Sequence, residues 1–88
     1  MIISMVGGRR QLMIHAINAY DYETEKLNFS IEIASEQEAR LAEIMGWKEP
    51  EDAIYEYDLS KEQIDQIETL VGKRFYDSSC VFQLTCYA

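Results

Sequence analysis

Apolar and polar residues alternate strictly between residues 27 and 33. The apolar positions are Leu27, Phe29, Ile31 and Ile33. A period of two predicts a β-strand with one face in water. The more continuously apolar residues 12–20 predict a largely buried strand before it. The polar run at 21–26 predicts a turn, so we expect the two strands to form a hairpin.

Two later stretches have helical periodicity, and each is bounded by the same pair of signals. A serine followed three residues later by an acidic or amide side chain can satisfy the exposed backbone N–H groups at a helix start. A glycine then marks the helix end. The two sets are Ser35, Glu38 and Gly46, and Ser60, Gln63 and Gly72.

The remaining alternating stretches complete the predicted fold. Residues 53–59 predict a third main strand, and residues 79–87 predict the last one. Residues 1–6 are apolar and predict a short extra strand. The order is therefore β-β-α-β-α-β. It predicts an α+β fold, in which residues 1–88 form a single domain with a largely antiparallel sheet of four to five strands and two helices on one face.

Composition narrows the range of functions. The 48% hydrophobic content of the 88 residues is typical of a folded protein. The net charge of −8 disfavours direct binding to nucleic acid or to anionic membranes, because phosphates would be repelled. No apolar run reaches the length of a membrane span. The same charge favours a basic protein as partner. The simpler explanation of the charge is that it keeps the protein soluble.

The acidic residues are concentrated in one stretch. Eight of the sixteen fall within residues 49–68, where only Lys61 opposes them. Apolar residues interleave with these acids, which indicates folded structure rather than a disordered tail. An ordered negative surface can dock a basic partner. The alternative is an ordinary acidic face in water.

We predict that the partner-binding residues come from this stretch and from exposed tyrosines. Tyrosine anchors interfaces because it offers a large apolar area together with a polar tip. Alternation places Tyr55 and Tyr57 on the inward side of the third strand, so both are candidates for the core. The predicted binding residues are Glu49, Glu51, Asp52, Glu56, Asp58, Glu62, Asp65, Tyr22 and Tyr76.

The chain carries little that predicts catalysis, a metal or a cofactor. His15, the only histidine, lies in an apolar strand, where we expect a structural role. Cys80 and Cys86 are six residues apart on one predicted strand, about 20 Å, which is too far for a disulfide. Two unpaired thiols fit a reducing, cytoplasmic compartment. The acids at 21–25 lack the spacing of an EF-hand, so a solvated hairpin tip is expected there.

Three segments resemble known proteins. They are residues 19–25 (AYDYETE), 35–46 and 54–59 (IYEYDL). They resemble small bacterial domains encoded in polymorphic-toxin loci, and the chain resembles the immunity proteins of contact-dependent growth inhibition systems. The resemblance implies a non-enzymatic cytoplasmic protein that binds and blocks the C-terminal domain of a sister toxin, commonly a nuclease. Contact residues vary between such pairs, so none is carried over.

Other functions are compatible with the same residues. An acidic mimic of nucleic acid would need carboxylates spaced like phosphates along a ridge. An accessory domain could self-associate through an edge of the sheet. A small enzyme or metal-binding domain would need partners for His15 or for the acids, which the sequence does not provide.

Overall fold

A computed structural model of the chain describes residues 13–87. The strands are β1 (Ile14–Asp21), β2 (Leu27–Ile33), β3 (Tyr57–Asp58) and β4 (Cys80–Tyr87). The helices are α1 (Glu38–Met45) and α2 (Lys61–Val71), and 3-10 turns lie at Ser35–Gln37 and Pro50–Ile54. The strand predicted for residues 1–6 lies outside the described residues.

The four strands form one antiparallel sheet in the order β2-β1-β4-β3. β1 and β2 form the predicted hairpin, in which Ile17 lies opposite Ile31. The register of this pair shifts between Ala19 and Tyr20. β4 lies along the whole of β1, with Leu84 opposite Ile17.

The core lies between one face of this sheet and the two helices. Ile17 and Leu84 from the sheet are buried in the same cluster as Leu41 of α1 and Ile67 of α2. Side chains alternate along a strand, so these contacts place both helices on one side of the sheet. The predicted α+β fold and its β-β-α-β-α-β order are confirmed.

One of the two predicted capping boxes forms and the other does not. The backbone N–H of Gln63 donates to Ser60 Oγ at 3.1 Å, and that of Ser60 donates to Gln63 Oε1 at 3.0 Å. Ser35 instead begins a 3-10 turn, and no side chain caps α1. The residue before α1 is Gln37, whose side chain donates to the carbonyl of Leu70.

This difference gives a matched pair of substitutions. We expect Ser60→Ala to lower the free energy of unfolding by about 1 kcal/mol, because a backbone N–H at the start of α2 loses its acceptor. Ser35→Ala removes a serine that caps nothing, and we expect a change of less than about 0.5 kcal/mol. Urea unfolding followed by circular dichroism measures both. Equal losses for the two variants would contradict the cap assignment.

The predicted third strand forms, but it spans only Tyr57–Asp58, so its predicted extent over residues 53–59 is wrong. Residues 50–54 form a 3-10 turn, and only Tyr57–Asp58 pairs with β4. Pro50 starts the turn, and the Asp52 carboxylate accepts the backbone N–H groups of Lys48 and Glu49 at 3.0 and 3.1 Å. These local bonds compete with strand pairing.

Because the third strand is short, the two tyrosines expected on its inward side have different surroundings. Tyr57 packs against the core, and its hydroxyl donates to the carbonyl of Asp52. Tyr55 is 58% exposed, because it precedes β3 and strand alternation does not fix its direction.

His15 is buried and has polar partners within the chain, as expected for a histidine with a structural role. Its side chain is 3% exposed. Nδ1 lies 3.2 Å from Glu38 Oε2, and Nε2 lies 2.9 Å from the carbonyl oxygen of Ala53. The ring of Trp47 packs beside it, 5.5 Å between centroids. His15 therefore connects β1 to α1 and to the turn at 50–54.

Candidate partner-binding surface

The sheet face away from the helices, called here the open face, carries the side chains that alternate with the core positions. Because Ile17 and Leu84 point into the core, their strand neighbours point the other way. From the strand registers, the members of the open face are Ala16, Asn18, Tyr20, Leu27, Ser30, Glu32, Asp58, Val81, Gln83, Thr85 and Tyr87. Glu56 precedes β3 and joins this face through its hydrogen bond with Thr85. No described helix covers this side.

A polar row crosses the middle of the open face and is held by hydrogen bonds. The Ser30 hydroxyl donates to Asn18 Oδ1 at 2.7 Å, and Gln83 Nε2 donates to Asp58 Oδ1 at 2.9 Å. Asn18 and Gln83 are opposite each other in the β1–β4 pair. The row therefore fixes the Asp58 carboxylate in place before any partner arrives.

A second row places one carboxylate at each end. Glu32 lies opposite Ala16, which lies opposite Thr85, and the Thr85 hydroxyl donates to Glu56 Oε2 at 3.4 Å. Three strand spacings separate the two glutamates, roughly 14 Å. Ala16 and Thr85 carry no charge, so the acids flank the face rather than form a continuous ridge.

An apolar row lies at the hairpin end of the same face. Leu27 and Val81 lie on either side of Tyr20 in the registers, and they are 54% and 45% exposed. Tyr22 beyond them is 70% exposed. A contiguous exposed apolar patch with a polar rim is characteristic of a binding surface.

Two depressions meet at Val81. One, of about 380 Å³, is lined by Tyr20, Asp21, Tyr22, Glu25, Val81 and Gln83. The other, of about 440 Å³, is lined by Asp58, Leu59, Lys61, Ile64, Tyr76, Cys80, Val81 and Phe82. Three of the predicted binding residues therefore line depressions that share Val81: Tyr22 lines the first, and Asp58 and Tyr76 line the second.

Tyr76 is held from several sides although its side chain is 44% exposed. Its ring stacks on Phe82 at 5.8 Å, and Lys61 Nζ lies 4.7 Å from the ring centroid. The Glu68 carboxylate accepts the backbone N–H groups of Phe75 and Tyr76, both at 2.8 Å. Such a ring costs little ordering entropy when it enters an interface.

Glu68 also gives the fold a pH dependence. The two N–H groups of Phe75 and Tyr76 hold the pKa of its carboxyl below its usual range. A depressed pKa stabilises the fold above the unfolded value of about 4.3, and this contribution is lost as pH falls through the folded pKa. Backbone N–H groups lower the pKa of Asp21, Asp52 and Asp77 in the same way.

We expect Glu68→Gln to cost roughly 1–2 kcal/mol at neutral pH, because a charged acceptor of two hydrogen bonds is lost. We expect its melting temperature to fall less steeply than that of the parent below about pH 4. Thermal unfolding as a function of pH measures both. Glu43→Gln, in an exposed pair with Arg40, is the control with little expected change. If the melting temperature of Glu68→Gln fell with decreasing pH as steeply as that of the parent, Glu68 would not be the source of this pH dependence.

The other predicted binding residues lie elsewhere or are engaged within the chain. Glu49 lines a separate depression with His15 and Trp47, and Glu51 lies on the turn at 50–54. Asp52 caps that turn. On α2, Asp65 pairs with Lys61 at 2.7 Å, and Glu62 is exposed in the first turn. The acidic stretch is thus divided, and Glu56 and Asp58 are its members on the open face.

The open face also contains Leu27, Glu32, Val81 and Gln83, which are not among the binding residues predicted from the sequence. The alternation of β2 and β4 already places all four away from the core. The missing information was the order of the strands, because β1 and β4 are adjacent although they are far apart along the chain.

The sheet also places Cys86 opposite His15, as a thiol nucleophile with a histidine base requires. Both ring nitrogens of His15 already face Glu38 and Ala53. Burial raises the pKa of the Cys86 thiol, whereas a reactive cysteine needs a lowered one. This geometry does not favour thiol chemistry. Both cysteines are free, as their spacing predicts.

Within residues 13–87, no three histidine, cysteine, aspartate or glutamate side chains are grouped to hold a metal ion. The same residues contain no helix with the length and apolar character needed to cross a membrane.

The hairpin acid Asp21 accepts the N–H groups of Glu23 and Thr24, both at 2.9 Å, and so shapes the turn.

Comparison with known proteins gives one match. A protein-family model described as "Domain of unknown function (DUF7683)" matches residues 14–85. This span includes the whole open face except Tyr87. No curated protein and no solved structure matches the chain.

Proposed function

We propose that this chain, which belongs to the DUF7683 family, is an immunity protein that binds a basic toxin domain in a one-to-one complex and thereby blocks it. The toxin domain is expected to be a nuclease, whose substrate-binding groove must be basic to hold phosphates. The chain acts by binding and not by catalysis. The resemblance of residues 19–25, 35–46 and 54–59 to immunity proteins is one support for this function.

The open face is the observation that carries the proposal. It presents Glu32, Glu56 and Asp58 on the same face as the exposed apolar row of Leu27 and Val81, and the rows themselves contain no lysine or arginine. Hydrogen bonds to Gln83 and Thr85 hold two of these carboxylates. A partner with a basic, partly apolar surface would complement both the charge and the shape.

Electrostatics and size are consistent with this mode of binding. The net charge of −8 attracts a cationic domain over long distances and accelerates encounter. A standard interface buries about 800 Å² on each partner, and one face of a four-stranded sheet offers an area of that order.

We place the protein in the cytoplasm, where a toxin delivered from a neighbouring cell must be neutralised. Cys80 and Cys86 are free thiols, and a reducing compartment keeps them so.

Co-expression with a candidate toxin tests the function directly. The probe is the basic C-terminal domain of a secreted protein chosen from the genes that neighbour the gene for this chain, produced under an inducible promoter. We expect cells that make both proteins to grow, and calorimetry to give a one-to-one complex. Growth arrest in the presence of the folded, soluble chain, together with no heat of binding, would reject the proposal.

The nucleic-acid mimic is the weaker candidate. It requires a continuous ridge of carboxylates, whereas neutral Ala16 and Thr85 separate Glu32 from Glu56. An immunity protein needs only a face of complementary charge.

A further inference from the structure

We infer that the depression at the hairpin end of the open face receives an arginine side chain of the partner. This hairpin depression is lined by Tyr20, Asp21, Tyr22, Glu25, Val81 and Gln83. The inference rests on the proposed function and identifies which group of the basic partner is held, and where.

The shape and lining suit a long side chain with an apolar stem. The depression has a volume of about 380 Å³, at the lower end of the roughly 300–1,000 Å³ range of ligand pockets. Val81 and the two tyrosine rings supply apolar walls. Tyr22 and Val81 are both exposed, so a partner would bury them further.

Two acidic residues of the lining, Asp21 and Glu25, supply negative charge. Asp21 remains ionised because its carboxylate accepts the backbone N–H groups of Thr24 and Glu23. Glu25 adopts a left-handed backbone with φ 65°, a conformation that favours glycine or asparagine. The turn thus holds a carboxylate at a position where local geometry alone would select a smaller residue.

Lys26 follows Glu25 in the same turn, but it forms no ion pair among the described residues. The ion pairs among the described residues do not include Asp21 or Glu25, and the one described cation–π contact does not involve Tyr20 or Tyr22. At the neighbouring depression, Lys61 of α2 lies over the ring of Tyr76 and pairs with Asp65 on its own helix.

The ring of Tyr76 thus has a cation of the chain over its face, whereas the described cation–π contact leaves the rings of Tyr20 and Tyr22 open. A guanidinium suits the hairpin depression better than an ammonium. It is planar, stacks on aromatic rings and donates two parallel hydrogen bonds to a carboxylate or amide oxygen. Asp21, Glu25 and Gln83 supply such oxygens.

Binding of a small arginine probe tests the site without any toxin. The probe is N-acetyl-arginine methylamide, titrated into the ¹⁵N-labelled chain and followed by NMR. We expect saturable shifts at the amides of Tyr20, Tyr22 and Val81. N-acetyl-citrulline methylamide, which has the same shape without the charge, is expected to cause none, and the lysine analogue is expected to bind at least threefold more weakly.

Substitutions locate the response. We expect Tyr22→Ala and Glu25→Gln each to weaken binding of the arginine probe at least threefold, and Glu36→Gln, exposed before α1, to leave it unchanged. Equal shifts with citrulline, equal binding of lysine, or shifts spread evenly over the chain would overturn the inference.

The toxin complex separates this inference from the proposed function. We expect Tyr22→Ala and Glu25→Gln to speed dissociation of the basic domain about tenfold. If the domain binds these variants as tightly as the parent chain, the inference fails and the immunity function stands. If no basic domain binds but the arginine probe does, the immunity function fails and the arginine site stands.

Discussion

Replacing both Glu56 and Asp58 by lysine is expected to slow association with the basic toxin domain by roughly ten- to a hundredfold at low salt. The two carboxylates lie side by side at one edge of the open face, and Thr85 and Gln83 hold them there. The double substitution changes the charge of this edge by four units. Charged groups at the rim of an interface act mainly on the rate of encounter.

Stopped-flow fluorescence at increasing salt measures the effect. We expect the difference between parent and variant to shrink as salt rises, because added ions screen charges in water. Glu36→Lys/Glu43→Lys is the matched control. It changes the net charge equally but lies on the α1 side of the sheet, where both glutamates are exposed. Equal slowing by the two double variants would mean that net charge, and not the open face, guides the partner.

Phe82→Ala is expected to lower the free energy of unfolding by about 3–5 kcal/mol. The ring of Phe82 is 4% exposed and packs against Phe29, Phe75 and Tyr76, with centroid distances of 6.2, 5.8 and 5.8 Å. Truncation removes apolar contacts and leaves a cavity between the sheet and the segment that follows α2. The loss is large against the roughly 4–13 kcal/mol that a domain of this size has in total.

The adjacent residue on β4 provides the control. Val81 is 45% exposed on the opposite side of the strand, so Val81→Ala is expected to change stability by less than about 0.5 kcal/mol. Urea unfolding of both variants measures the contrast. Phe82→Ala should also free the Tyr76 ring, visible as a loss of its chemical-shift dispersion. A cost for Phe82→Ala no greater than that for Val81→Ala would show that this ring does not organise the core.

Elements with a strong local signal were predictable from the sequence. The hairpin follows from the alternation of β2 and the polar run before it, and α2 follows from Ser60, Gln63 and Gly72. In these cases the local pattern and the tertiary packing favour the same structure. The stretch at 53–59 shows the opposite case. Its alternation predicts a long strand, but Pro50 and the Asp52 cap turn the chain and leave two residues to pair with β4.

The candidate surface was predictable only in part, for a related reason. Glu56, Asp58, Tyr22 and Tyr76 could be selected because their exposure follows from local patterns. The sequence does not show that Asp52 and Glu68 turn their carboxylates onto backbone N–H groups, since those bonds depend on the paths of the turns. Nor does it show that Glu32 shares a face with Glu56, because that depends on the order of the strands.

The central place of β4 in the sheet has a consequence for the order of folding. The β1–β2 turn closes over five residues, 22 to 26, whereas β1 and β4 are separated by 58 residues, 22 to 79. Closing the longer loop costs more chain entropy. The hairpin can therefore form before β4 pairs with β1. Docking of β4 is then the slow step that completes the core and the open face together. A newly refolding chain would acquire its capacity to bind in one late event.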